Sequence, residues 1–338
     1  MKILWELRKR WRDRLLRYAI DREVGKKYKI WFEENYPKKT EKEKFLVQPK
    51  ISVIIPVFDP NLEHFEECLL SVIKQSYDNW ELCLVDDHST NNSIRDLIVA
   101  FSKRDKRIKY FFRKTNGHIS RASNDALKMA TGDYIAILDH DDFLWPNALS
   151  EVVRTINENT NAGFIYADED KIDNTSNHFD PFFKPGWNLD YLLHTNYINH
   201  LAVIKRGVIK KVGGFRVGFE GSQDWDLFLR LSQIVGKKNV IHIPKVLYSW
   251  RVSPQSTASR RHIKTAKNYV WQVQEKVLAD YLNRRGIAGR PVHSQYLGFW
   301  SIEKSGTKTS PDLIRKSYYE ILKRETLRKL EIPNLVVA

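Results

Sequence analysis

A chain of 338 residues with 42% hydrophobic and 12% aromatic side chains carries enough apolar material for a large buried core, which excludes a disordered or low-complexity protein. No run of about 18 apolar residues occurs and the first residues lack a signal-peptide apolar stretch, so neither a transmembrane helix nor export is expected. The expectation is a cytoplasmic protein. Its two cysteines, Cys68 and Cys83, have no metal-ligand spacing and no disulfide framework, and read as packed, inert thiols. The net charge of +15 is uneven, because residues 1–50 hold sixteen Lys and Arg against eight Asp and Glu and so contribute +8.

That basic segment comes first in chain order. Leu4, Trp5, Leu7, Trp11, Leu15, Leu16, Tyr18 and Ile20 recur at helical spacing, interleaved with Arg8, Lys9, Arg10, Arg12, Arg14 and Arg17. This is a basic amphipathic helix, and two readings stand side by side: residues 1–30 lie on an anionic membrane surface as a peripheral anchor, or the helix docks on the parent domain with a solvated charged face. Charge confined to one terminal helix, with no binding motif, speaks against nucleic acid as a partner.

From residue 51 strands and helices alternate. Ile51 to Val57 is a β-branched strand closed by a turn at Asp59-Pro60-Asn61, and a helix follows from Leu62 to Gln75. Trp80 to Val85 is a second strand, Ile94 to Ser102 a helix, Ile108 to Phe112 a third strand and Ser120 to Ala130 a helix, before a strand that ends at Asp139. Such alternation implies right-handed crossovers and a largely parallel sheet buried on both faces. The second half is less regular, with strands at Ala162 to Ala167, His200 to Ile204 and Val246 to Trp250, the last bounded by Pro244, and helices at Asp226 to Ile234, Thr265 to Arg285 and Pro311 to Leu330. Three regions then divide the chain: a basic helical segment 1–48, an α/β domain 49–258 with halves 49–145 and 146–258, and a helical extension 259–338.

Acidic residues gather where strands end. Leu82-Cys83-Leu84-Val85 runs into Asp86-Asp87, Tyr134 to Leu138 runs into Asp139-His140-Asp141-Asp142, and Asp224-Trp225-Asp226 opens a later helix. In an open α/β sheet the crevice outside the carboxyl ends of the strands is where ligands bind, so these acids are expected to face substrate or metal. Oxygen clusters of this kind suit Mg²⁺ or Mn²⁺. No G-x-G-x-x-G follows the first strand, and neither a P-loop nor a G-x-S-x-G elbow is present, which removes dinucleotide binding, P-loop chemistry and serine hydrolysis.

Taken together, Ser52-Val53-Ile54-Ile55-Pro56-Val57-Phe58, Val85-Asp86-Asp87-His88-Ser89, Asn116-Gly117-His118 and Leu138-Asp139-His140-Asp141-Asp142 closely resemble the inverting GT-A glycosyltransferases of family 2. The likeness continues through Tyr166 to Lys171, Phe183-Lys184-Pro185, Gly213-Gly214-Phe215, Gly221 to Leu227 and Leu247 to Arg251, and is nearest to bacterial enzymes of O-antigen and surface-polysaccharide synthesis, many described as rhamnosyltransferases.

The resemblance implies a GT-A fold, a single Rossmann-like mixed sheet flanked by helices, and a metal-dependent, inverting transfer from a nucleotide sugar, with dTDP-rhamnose as one donor. The acceptor it implies is a glycan or lipid-linked glycan. Pro56, Asp59, Asp86, Asp87, Asn116, Arg121, Asp139, Asp141 and Arg251 would hold the donor, Asp141 and Asp142 would ligate Mn²⁺ or Mg²⁺, and Asp224 would be the general base. Local readings accompany these roles: Asp86 as a helix cap, Asp168-Glu169-Asp170 as an exposed acidic turn or an acceptor pocket, and Trp187, Trp225 and Trp250 as core. Two positions depart from the family pattern, with Gln223 for a common Glu and Ser249 for a common His, the latter raising His242 as a substitute metal contact. A catalytically silent sugar-nucleotide-binding subunit of the same fold is the alternative function.

Overall fold

The computed structural model describes residues 21–38, 41–252, 268–294, 298–304 and 324–332. Helix α1 covers 21–35, after which strands and helices alternate as β1 (Ile51–Val57), α2 (Leu62–Ile73), β2 (Trp80–Asp86), α3 (Asn92–Arg104), β3 (Ile108–Phe112), α4 (His118–Met129), β4 (Tyr134–Ile137), β5 (Phe143–Leu144) and α5 (Ala148–Glu158). The second half contributes β6 (Phe164–Ile172), β7 (His178–Phe182), α6 (Leu189–His194), β8 (Ala202–Lys205), α7 (Arg206–Lys211), α8 (Gln223–Leu231) and β9 (Val240–Arg251). Helix α9 (Asn268–Arg284) and a small hairpin of β10 (Arg290–His293) and β11 (Trp300–Glu303) follow. No helix among the described residues is long and apolar enough to cross a membrane.

One mixed sheet runs β3-β2-β1-β4-β8-β6-β9-β5, with β7 paired to β6. Strands β1 to β4 are parallel to one another, and β8 enters antiparallel to both β4 and β6. Every residue of β1 and β2 is buried, because helices cover both faces. Ile51, Val53, Ile55 and Val57 pack with Phe65, Leu69, Ile94, Ile98, Leu149 and Val152 of α2, α3 and α5. Ile54 and Cys83 face Ala122, Ala126, Phe228, Val277 and Leu278 of α4, α8 and α9. The two cysteines are thus free, buried and split between opposite faces.

Local chemistry explains the punctuation. Pro56 is tolerated inside a central strand because β4 pairs with β1 only as far as Ile54, so the missing N–H costs the ladder nothing on that side. Asn61 and Asn91 cap α2 and α3 through their side-chain oxygens. Two expectations need correcting. Strand β9 does not begin after Pro244 but passes through it, since the register jumps from Ala167–Ile243 to Asp168–Val246 and the bulge absorbs the proline. Asp168, Glu169 and Asp170 form no exposed turn either: β6 continues through them and all three are buried, each meeting donors from other elements.

The apolar face of α1 lies against the domain. Tyr28 is buried with Trp145, Phe183, Val246 and the terminal Leu327, Leu330 and Ile332, while Val24, Trp31, Phe32 and Tyr36 pack around them. This is the docked arrangement for residues 21–35; the basic stretch 1–20, and most of the predicted helix from Pro311, lie outside the described residues.

Candidate active site

The carboxyl ends of β1, β2 and β4 and the start of β8 meet at one edge of the sheet. Asp59 follows β1 with φ +43° and its carboxylate accepts from Thr90 N–H at 2.8 Å and Thr90 Oγ1 at 3.0 Å, tying the β1 and β2 loops together. Asp86 is fully buried, accepting from Ser89 N–H at 3.1 Å and Arg95 Nε at 2.9 Å. It orders its own turn rather than capping α3, whose cap is Asn91. Asp87 accepts Gly117 N–H at 2.9 Å and pairs with Arg113 at 2.7 Å, which fixes the loop bearing Asn116, and Asn116 in turn accepts from His118 N–H. A side chain at Gly117 would collide with Arg113 and Arg121, so glycine keeps this approach open.

The acids after β4 take different positions. Asp139 keeps 40% of its side chain exposed, Asp141 keeps 32%, and Asp142 is buried. Asp142 accepts Arg251 N–H at 2.7 Å and the Tyr248 hydroxyl. Asp139, Asp142 and His200 bring ligand atoms within 4.8 Å of one another, and Asp141 lies outside that group. Burial, reinforced by Asp141, pushes the Asp142 carboxyl well above its ordinary range. Burial would do the same to Asp139, but His200 and His140 hold it below. His200, which burial alone would make less basic, is instead raised because it sits between Asp139 (3.7 Å) and Glu169 (3.4 Å).

Asp224 occupies the first turn of α8, where the helix dipole favours a carboxylate. Its Oδ2 accepts from Asn196 Nδ2 at 2.7 Å. Burial raises its pKa while the charge of His200 opposes, so Asp224 shares an electrostatic field with His200 and Asp139. Asp226, two residues on, is an ion-pair hub for Arg216 and Arg230 and faces the interior. Trp225 is core, its indole bonded to Leu192 C=O.

Other expected contacts lie elsewhere. Arg251 is 1% exposed and its guanidinium is committed to the carbonyls of Asp141 (2.8 Å) and Asp173 (3.0 Å) and to Glu67, so it braces the turn between β4 and β5. Arg121 is exposed beside Gly117. Ser249 is buried in a network with Asp170, Trp145 and His178, where Tyr28 of α1 also donates to Asp170 at 2.7 Å. His242 pairs with Asp168 at 2.7 Å and stacks on Tyr166, apart from the Asp139 group. Sequence reasoning missed His200 and Asn196. A polar stretch before a short strand was their only trace, and it carries no spacing that marks a ligand.

The fold agrees with that of known proteins. Residues 52–213 match Glycosyl transferase family 2. The chain carries a family 2 glycosyltransferase domain. Over 240 residues it is 35% identical to the O-antigen biosynthesis protein RfbC of Myxococcus xanthus, covering 71% of this chain and 18% of that protein. An uncharacterized protein of Sinorhizobium fredii, y4gI, is 42% identical over 260 residues, 75% of this chain and 28% of its own length. The chain thus spans under a third of either relative. Among solved structures, S. aureus TarS 1–349 in complex with UDP-GlcNAc superposes with a TM-score of 0.54 at 19% identity, covering 70% of this chain and 72% of TarS 1–349, and shares the GT-A fold.

Proposed function

We propose that this chain transfers a sugar, with inversion, from a nucleotide-sugar donor to a glycan or lipid-linked glycan in surface-polysaccharide synthesis. The observation that carries the reading is the Asp139–Asp142–His200 group at the strand ends, with Asp224 held by Asn196 of the same segment that carries His200. Asp224 takes the proton of the acceptor hydroxyl as that oxygen attacks the anomeric carbon from the face opposite the diphosphate. Burial raises its proton affinity, as a base requires, and Asn196 holds the carboxylate in one orientation. Pro56, Asp59, Asp87 and Asn116 shape the nucleotide end of the crevice, with Arg121 exposed at its rim.

The residues fit a divalent cation. Two carboxylates and an imidazole suit Mn²⁺ or Mg²⁺, and the buried Asp142, driven toward protonation by its surroundings, is a carboxylate whose charge a cation would restore. Asp139, Asp142 and His200 would hold it, with Asp141 beside them, and when bound it offsets the negative charge of the donor diphosphate. Membrane association through the basic residues 1–20 is part of the same proposal, since α1 ends docked on the domain and the charge precedes it.

A panel of nucleotide sugars including dTDP-rhamnose and the UDP and GDP donors, read by thermal stabilisation and donor hydrolysis with Mn²⁺ or EDTA, tests the reading. One donor that stabilises and hydrolyses only with metal is the expected result; no response from any donor overturns it. Asp224→Asn is expected to keep donor stabilisation and lose turnover by about 10²–10⁴. An active Asp224→Asn enzyme would refute the base.

A further inference from the structure

The Phe183-Lys184-Pro185 motif has no role in the chemistry above, yet it places a lysine where lysines are rarely found. Lys184 is 4% exposed, and its backbone N–H donates to Asp168 Oδ1 at 2.8 Å. Its ammonium donates to Glu169 Oε2 at 3.1 Å, to Ile198 C=O at 2.6 Å and to His200 C=O. The same Glu169 oxygen accepts His200 N–H at 3.2 Å and lies 3.4 Å from His200 Nδ1. His200 is therefore gripped at its N–H and its C=O by a single buried ion pair, and its Nδ1, which makes no hydrogen bond of its own, faces the Glu169 carboxylate at 3.4 Å. Its ring face stacks on Tyr248 at 4.7 Å and 12°, and Tyr248 donates to Asp142. What remains is Nε2, directed to the Asp139 side.

We propose that Lys184 and Glu169 are positioning residues that set His200 as the nitrogen ligand of a divalent cation; this rests on the reading of Asp139, Asp142 and His200 as the cation site. A carboxylate on the outer nitrogen of a ligating histidine fixes both ring orientation and tautomer, leaving the inner nitrogen's lone pair for the metal. Glu169 is that carboxylate. Lys184 holds Glu169 in place and takes the carbonyls of Ile198 and His200, which explains why a charge is buried here at all.

The test is calorimetric titration of the full chain with Mn²⁺ alone. Glu169→Gln, nearly isosteric, is expected to weaken Mn²⁺ binding by about 10–100-fold, the usual effect of losing such a partner. Lys184→Met should weaken it at least as much, and His200→Ala should remove it. In the double variant Glu169→Gln/Lys184→Met the loss should not exceed that of the larger single variant, because both act through one carboxylate on His200, a non-additivity that independent structural effects would not produce. Should Lys184→Met fail to fold, Glu169→Gln and His200→Ala carry the test. Wild-type-like binding by Glu169→Gln, with binding lost in His200→Ala, overturns the positioning role and leaves the cation site standing. Wild-type-like binding by His200→Ala overturns the cation site and the proposal together.

Discussion

Two acidic runs in this protein look alike in sequence and end in opposite environments. Asp139-His140-Asp141-Asp142 and Asp168-Glu169-Asp170 each follow an apolar strand, but β4 stops at Ile137 whereas β6 continues to Ile172. After β4 the chain turns, and Asp139 and Asp141 stay partly open at the crevice. In β6 each acid is buried against its own donors: Asp168 takes Lys184 N–H and His242, Glu169 takes the Lys184 ammonium, and Asp170 takes Tyr28, Ser249 and His178. A buried carboxylate is tolerable only when paired and hydrogen-bonded, so the supply of partners from distant segments, not the local sequence, decides which run becomes structure and which is left for a ligand.

The contrast can be broken most sharply at Lys184. Lys184→Met leaves Glu169 buried without its counter-charge, and the expected cost is about 3–5 kcal/mol in urea unfolding. A loss below 1 kcal/mol would mean that the β6 run does not depend on its partners. The pH dependence should also differ in sign between the runs. Burial raises the Glu169 pKa, but Lys184 and His200 outweigh it and hold it at about 2, below its unfolded value. Its contribution, about 3 kcal/mol, is therefore present above the unfolded pKa and lost as pH falls toward 2. The stability difference between wild type and Glu169→Gln should shrink over that range. Asp142 is raised instead, so its contribution is present at acid pH and lost as pH rises through its folded pKa. Asp142→Asn should accordingly cost less than 1 kcal/mol at neutral pH, or stabilise, while abolishing the metal-dependent thermal shift.

A smaller effect tests the far end of the β6 network. Tyr28→Phe removes the hydroxyl that α1 donates to Asp170 and is expected to cost about 1.5 kcal/mol. No change in chemical denaturation would indicate that α1 is held by its aromatic contacts alone, among them Phe32 stacked on His178 at 4.2 Å and Trp31 edge-on to Phe183 at 5.5 Å.

The first half was the more legible for a simple reason. Strands β1, β2 and β3 are parallel, and the first two are buried on both faces, so they stand out as apolar runs punctuated by capping Asn61 and Asn91. In the second half β6 carries three successive acids followed by Lys171 and β9 carries Pro244, features that read locally as turns and breaks. Both become strand only because bulges and remote donors accommodate them.

The sequence by itself determined the order of strands and helices from β1 to β4 and the strand ends at which acids accumulate, because these follow from apolar periodicity and right-handed crossovers acting over short distances, while its motifs carried the resemblance to the GT-A class. Tertiary structure alone decided that His200 joins Asp139 and Asp142, that Asn196 reaches Asp224, and that Arg251 is consumed as a brace. Each depends on groups brought together across long stretches of chain, 28 residues between Asn196 and Asp224 and 110 between Asp141 and Arg251, and whether a polar group is free for a ligand is settled only when every competing partner has been placed.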